Sequence, residues 1–113
     1  MNKSPPIEEL KAIAHATRFS ILGALSQGEH NVGEIEKATG IAQPFLSQQL
    51  AVLRGAGLVE TRKESKLVFY SLDQERLGGL ADMISELADS PAKKKSDGKK
   101  ALAGAANFAR LTG

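Results

Sequence analysis

The sequence predicts a mainly α-helical domain with one small β-hairpin, and three observations support this fold class. Apolar residues recur at intervals of three and four in several segments, which is the spacing of a helix face. Residues 58–63 and 67–72 are instead rich in β-branched and aromatic side chains and flank a short polar turn. The 113 residues are 42% hydrophobic and 25% charged and include no Cys, which is typical of one globular domain and excludes disulfides and thiolate metal sites.

The first two helices are predicted from apolar stripes. The first helix carries a stripe at helical spacing, formed by Ile7, Leu10, Ile13 and Ala14. Thr17 is expected to cap the second helix, because its hydroxyl can accept a hydrogen bond from a free N–H group of the first turn. Gly28 is expected to end that helix. Its apolar residues are Phe19, Ile21, Leu22 and Leu25.

A third and a fourth helix are predicted from their end signals. Asn31 followed three positions later by Glu34 has the form of a capping box, and Gly40 is expected to stop the third helix. Pro44 fits the first position of the fourth helix, with Gln43 extended before it, and this helix should run to about Arg54. Two short helices joined by a tight turn form a helix-turn-helix.

The rest of the folded part is a hairpin followed by one more helix. The hairpin should turn at Glu64-Ser65, and the last helix should begin after Asp73 and end before Pro91. The helical stripe of this segment consists of Leu77, Leu80, Ala81, Ile84, Leu87 and Ala88. Four helices, a hairpin and a final helix in this order predict a winged helix-turn-helix, with the hairpin as the wing.

The charge distribution, together with Pro5-Pro6 at the end of a short arm, divides the chain into three parts. Residues 91–113 carry six basic groups and one acidic group, a net charge of +5, whereas residues 1–90 carry a net charge of −3. We therefore predict a disordered arm at 1–6, a winged helix-turn-helix domain at 7–90 and a basic, flexible tail at 91–113. The tail is interpreted either as an arm that binds phosphates or as a solubilising end.

The fourth helix has two chemically different faces. At 100° per residue, Leu46, Leu50 and Leu53 share the side that should face the core. The opposite side and its edges carry the candidate DNA-binding residues Gln43, Pro44, Phe45, Ser47, Gln48 and Arg54. Amide side chains can pair with adenine, serine can reach bases or phosphates, and an apolar ring can meet a thymine methyl group. The alternative is a solvated face that recognises nothing.

Basic residues lie near the tip of the predicted wing. Arg62, Lys63 and Lys66 would contact phosphates if the wing lay along a DNA duplex, and would then position the protein without recognising sequence. The alternative is an ordinary solvated end of a hairpin.

From about residue 7 to 90, the chain resembles the ArsR/SmtB family of bacterial winged-helix repressors. The resemblance rests on residues 16–22, 32–35, 43–50, 53–54, 57–59 and 69–72. It implies a homodimer that is paired through its first and last helices and binds double-stranded DNA at an inverted repeat. The implied dimer interface consists of Ile7, Leu10, Ile13, Leu77, Leu80, Ala81, Ile84 and Leu87.

The known sensor sites of the family are missing from this sequence. Asn31-Val32-Gly33 replaces the Cys-Val-Cys of metal sensors, and the zinc-ligand positions of the last helix hold Gln74, Arg76, Leu87 and Ser90. The fourth helix looks most like the sulfide-responsive branch, but the switch cysteines of that branch fall near Gly23 and Asp89. The sequence therefore predicts no metal at these sites and no cofactor, and it selects no inducer.

Several smaller features leave alternatives open. Gln49 replaces a frequent His of the family, which suggests an altered operator preference. His15 and His30 with nearby carboxylates, or Asp82 with Glu86 and Asp89, could hold a metal ion, but structural or solvated side chains are the favoured interpretation.

The function predicted from these observations is that of a homodimeric, sequence-specific repressor in the cytoplasm. The alternative is a winged-helix protein-interaction module or anti-repressor that acts through another regulator. No catalytic motif is present, so an enzyme is not expected. No signal peptide or membrane span is predicted either.

Overall fold

The computed structural model describes residues 5–89 and 91, and within them it confirms the winged helix-turn-helix fold. All but the first residue of the predicted tail at 91–113 and most of the predicted arm at 1–6 lie outside these residues. The described part contains five helices and three strands, which are α1 (Ile7–Ile13), α2 (Ala16–Leu25), β1 (His30–Asn31), α3 (Val32–Thr39), α4 (Gln43–Gly55), β2 (Val59–Glu64), β3 (Leu67–Leu72) and α5 (Gln74–Ala88).

Two predicted helix starts are wrong by one or two residues. His15, not Thr17, is the N-cap of α2, and its Nδ1 accepts a hydrogen bond from the Arg18 N–H at 3.5 Å. The first residue of α4 is Gln43, and the extended residue before the helix is Ala42. Proline is tolerated throughout the first turn, because the N–H groups there have no partner within the helix. Pro44 therefore indicates the first turn of α4 but does not identify its first residue.

The ends of α3 were predicted correctly. Asn31 Oδ1 accepts from the Glu34 N–H at 2.9 Å, and Glu34 Oε1 accepts from the Asn31 N–H at 2.9 Å, so both halves of the capping box are present. Gly40 adopts φ +78°, a left-handed conformation that favours glycine, and its N–H donates to the Glu36 carbonyl. These contacts determine where the turn of the helix-turn-helix begins.

The sheet has three antiparallel strands, with β3 between β1 and β2. Its strand β1 was not predicted, and its residue His30 pairs with Tyr70 of β3. Two residues are too few to show the alternation that identifies a strand. The wing turn also lies one residue later than expected, at Ser65-Lys66, and Ser65 has φ +61°.

The core lies between the helix-turn-helix and the base of the sheet. Its fully buried side chains are Ile21, Ile35, Leu46, Leu50, Leu53 and Leu58. The predicted inward face of α4 is thereby confirmed. The expected position of Leu80 at a dimer interface has to be corrected. Its side chain is only 6% exposed and belongs to this core. Leu10, Ile13 and Leu77 are half-buried against the same core.

Other apolar side chains of the first and last helices are exposed. Ile7 on α1 is 47% exposed, and Ile84 and Leu87 in the last turns of α5 are 50% and 70% exposed.

The start of α5 lies where it was predicted, directly after Asp73. The Asp73 carboxylate accepts a hydrogen bond from the Arg76 N–H at 3.0 Å and thereby stabilises the first turn of the helix. None of the helices in the described residues is long and apolar enough to cross a membrane.

Candidate nucleic-acid interface

The outward face of α4 is exposed along its whole length. The exposed residues of this face are Gln43, Pro44, Phe45, Ser47, Gln48, Ala51 and Arg54. Even the large ring of Phe45 is 44% exposed. Burial of three leucines on the opposite face holds the helix in this orientation. The small and amide side chains of the exposed face leave room for a double helix to approach closely.

The two glutamines proposed to recognise bases differ in their surroundings. Gln43 Nε2 donates to Glu36 Oε1 of α3 at 3.1 Å, so its amide is oriented by the preceding helix. Gln48 makes no side-chain hydrogen bond to any residue that the structure describes. The donor and acceptor of Gln48 are therefore both available to a ligand.

Gln49 does not belong to the exposed face, so any influence on operator preference would have to be indirect. Its side chain is buried, and Oε1 accepts a hydrogen bond from Arg18 Nη1 at 2.8 Å. On the helical wheel, Gln49 lies 60° from Leu46 and 40° from Leu53, well within the inward side. That spacing was the signal that could have identified it as an inward-facing residue.

A cleft of about 450 Å³ lies between α4 and the wing strand β3. Ser47, Ala51 and Arg54 line it from α4, and Tyr70 lines it from β3. The lining side chains include two hydroxyl groups and one guanidinium, which are donors suited to phosphate oxygens. Tyr70 was not predicted as a site residue, because its place beside α4 depends on the packing of the sheet.

The three basic residues of the wing are not equivalent. Arg62 donates to Glu29 through Nε and Nη2, both at 2.8 Å, and to Glu64 through Nη1 at 2.7 Å. Its guanidinium also lies 5.0 Å from the centre of the Phe69 ring. Lys63 and Lys66 are exposed and make no ion pair with any other residue of the described part. Among the three basic residues of the wing, therefore, Lys63 and Lys66 carry a charge that no described residue compensates.

The ion pair of Arg62 changes the acidity of both partners. The hydrogen bond from Arg62 lowers the pKa of the Glu29 carboxyl below its usual value, and burial opposes this effect only in part. Hydrogen bonds to Glu29 and Glu64 raise the pKa of the Arg62 guanidinium. Both pKa shifts favour the charged forms of Glu29 and Arg62, so this ion pair stays charged throughout the physiological range.

The two histidines take part in local contacts. His15 caps α2, and the Nδ1 atom of His30 lies within hydrogen-bond distance of the Gly28 carbonyl oxygen. Within residues 5–89 and 91, no group of three His, Cys, Asp or Glu side chains is arranged to hold a metal ion.

The fold and the exposed face of α4 define a winged helix-turn-helix protein. Residues 15–61 match the family described as "Bacterial regulatory protein, arsR family". The chain is 44% identical over 82 residues to the biofilm growth-associated repressor of Agrobacterium fabrum, covering 73% of this chain and 70% of that protein. It is 38% identical over 86 residues to the transcriptional activator HlyU of Vibrio cholerae, covering 76% and 80%.

A solved structure gives the same result. The homodimeric winged helix-turn-helix DNA-binding domain from Mycobacterium bovis, described as a possible ArsR-family transcriptional regulator, superposes with a TM-score of 0.62 at 32% identity. The match covers 80% of this chain and 84% of that domain. The chain therefore belongs to the arsR family of bacterial regulatory proteins.

Proposed function

We propose that this protein is a homodimeric, DNA-binding repressor of transcription, in which each protomer inserts α4 into the major groove of one half of an inverted repeat. The observation that carries the proposal is the chemistry of α4. Three fully buried leucines hold the helix on one side, and the exposed side presents amide, hydroxyl and small apolar groups. A binding function of this kind requires no catalytic group.

Base recognition is assigned to Gln43, Ser47 and Gln48, with Pro44 and Phe45 as apolar neighbours. Gln48 is the strongest of these, because its amide is exposed and makes no hydrogen bond to the described residues. The Glu36 carboxylate takes one of the two N–H donors of the Gln43 amide and leaves the oxygen and the other donor available. Gln43 is therefore proposed to present its oxygen and one donor to a base, whereas Gln48 presents its whole amide group.

Phosphate contacts are assigned to Arg54, Lys63 and Lys66, and to a lesser extent to Arg62. Arg54 lines the cleft between α4 and β3, where a DNA strand that follows the groove wall would pass. Lys63 lies on β2 just before the wing turn, Lys66 lies in the turn, and both are exposed. Arg62 is already engaged by two carboxylates, so it contributes to a phosphate contact only if those ion pairs open.

Dimerisation is assigned to apolar side chains of α1 and α5. Ile7, Ile84 and Leu87 are large apolar residues that the described part of a protomer leaves about half exposed or more. Such residues favour burial in a second copy. The half-buried Leu10, Ile13 and Leu77 are proposed to contribute as well, and so is Ala81, whereas Leu80 is buried in the core of the protomer.

The proposal is tested by fluorescence anisotropy of the full chain on labelled DNA from upstream of its own gene and on a scrambled duplex. At about 150 mM salt, purely electrostatic binding is weak, so a preference of roughly a thousandfold for the upstream DNA is expected. A reporter gene under the same DNA should fall in expression when the protein is present. Equal binding to both duplexes would reject the proposal and favour the alternative, a winged-helix module that binds another regulator.

A further inference from the structure

Arg18 joins the end of α1 to the inward face of α4. Its Nε donates to the Ala12 carbonyl at 2.7 Å, and its Nη2 approaches the Lys11 carbonyl at 3.4 Å. Its Nη1 donates to Gln49 Oε1 at 2.8 Å. A single guanidinium is thus bonded to the last turn of one helix and to a buried side chain of another.

The bond geometry suits this bridging role. The carbonyls of the last turn of α1 have no partner within the helix and carry partial negative charge, so a cation there is favourable. The Gln49 side chain is only 8% exposed, and water therefore competes little for its acceptor oxygen. A planar guanidinium can make both contacts at once, whereas the single ammonium of a lysine cannot reproduce that fork.

The packing of α1 against α4 is interrupted by a cleft. A cleft of about 330 Å³ lies beside the bridge, lined by Lys11, Ala12 and Arg18 on one side and by Val52 and Ala56 on the other. Ala12 is buried in the core, and across the cleft beside it the hydrogen-bonded bridge adds a directional restraint to that packing.

We infer that Arg18 is a positioning residue that sets α4 relative to α1 through Gln49, and thereby sets the spacing between the two base-recognising helices of the dimer. The inference rests on the proposed function, in which α1 belongs to the dimer interface and α4 enters the DNA. If the bridge is present, the two helices meet the half-sites in one register. Without it, α4 can shift, and the protein tolerates a wrong half-site spacing.

The test compares two operators, the one mapped by footprinting on the upstream DNA and the same sequence with one base pair inserted at its centre. Gln49→Leu keeps the buried volume and removes the acceptor oxygen, whereas Gln49→Glu keeps the acceptor and forms an ion pair with Arg18. We expect the wild type and Gln49→Glu to discriminate between the two operators equally. For Gln49→Leu, the ratio of the two operator affinities should fall about tenfold, which is the effect of losing one hydrogen bond to a charged group.

Thermal unfolding of each full-length variant separates positioning from folding. If Gln49→Leu proves unstable, Arg18→Lys, which keeps the charge but loses the fork, is expected to relax the spacing preference in the same way. An unchanged spacing preference in the folded variant would overturn the inference, and so would an equal loss of affinity for both operators. If the wild type itself does not distinguish its upstream DNA from a scrambled duplex, the proposed function has failed and the inference with it.

Discussion

Two nitrogens of the Arg62 guanidinium, Nε and Nη2, donate to the two carboxylate oxygens of Glu29, each at 2.8 Å. Arg62 lies on β2 of the wing, and Glu29 lies directly before β1. A two-point contact of this kind orients both side chains more strictly than a single bond. The wing therefore has a cation whose charge is already compensated within the protein, next to two lysines whose charges are not.

The first prediction concerns the salt dependence of DNA binding. Lys63→Ala and Lys66→Ala should each reduce the slope of log affinity against log salt by about one, because each lysine displaces counterions from a phosphate. Arg62→Ala should change the slope less, since the carboxylates of Glu29 and Glu64 neutralise its charge. Anisotropy titrations at several salt concentrations measure the slopes. A change for Arg62→Ala equal to that for Lys63→Ala would show that the ion pairs open on DNA.

The second prediction concerns acid. The hydrogen bond from Arg62 lowers the pKa of Glu29 from the usual 4.5, so the folded state binds this proton less readily than the unfolded state. The ion pair therefore stabilises the fold above pH 4.5, and its contribution is lost as the pH falls through the lower, folded-state pKa. Wild type and Glu29→Gln should differ in urea midpoint at neutral pH and converge in acid.

Glu60→Gln is the matched control for this experiment. Glu60 lies on the same strand, β2, and makes no ion pair with any other described residue. Its substitution should leave the shape of the wild-type pH profile unchanged. A constant gap between wild type and Glu29→Gln at every pH would contradict the assignment of the effect to this carboxylate.

The third prediction concerns base recognition. Gln48→Ala should weaken binding to the operator by about 1–3 kcal/mol and relax the preference at one base pair, because it removes a paired contact to a base edge. A set of operators with single substitutions, titrated against both proteins, identifies that base pair. Unchanged affinity and preference would remove Gln48 from the recognition surface.

The fourth prediction compares two neighbours on α4. Leu53 is fully buried, and Leu53→Ala should lower the free energy of unfolding by about 2–5 kcal/mol through lost burial and the cavity left behind. Val52 is 43% exposed, so Val52→Ala should cost less than about 1 kcal/mol. Urea denaturation at one protein concentration provides both values. Similar losses for the two variants would mean that α4 is rotated from the orientation described above.

The fifth prediction concerns the start of α3. Asn31→Ala removes the acceptor for the Glu34 N–H and should cost about 1 kcal/mol of unfolding free energy. Asn31→Gly should cost only a few tenths of a kcal/mol, because glycine is itself tolerated at an N-cap. Chemical denaturation measures both losses, and a loss near zero for Asn31→Ala would show that the cap bond contributes little.

The features that could be predicted from the sequence are those that depend on neighbours along the chain. The capping box of Asn31 and Glu34, the glycine stop at Gly40 and the leucine face of α4 are all local patterns, and the structure contains each of them. The start of α4 was predicted one residue late, since a proline specifies the first turn and not a position within it.

The features that could not be predicted depend on contacts between distant residues. Strand β1 is too short to show a period and exists because His30 and Asn31 meet β3 across the sheet. The compensation of Arg62 by Glu29 joins residues 33 positions apart, and the burial of Leu80 depends on where α5 packs. No pattern within a single segment contains this information.

The short strand β1 also has a consequence for how the molecule opens. Asn31 pairs with Phe69 in the sheet and at the same time caps α3. The base of the wing and the start of α3 therefore share one residue, and we expect the amide protons of both regions to exchange with solvent as one cooperative unit. The residues around Ser65 at the tip share neither contact, so the tip can fray alone while its base stays closed.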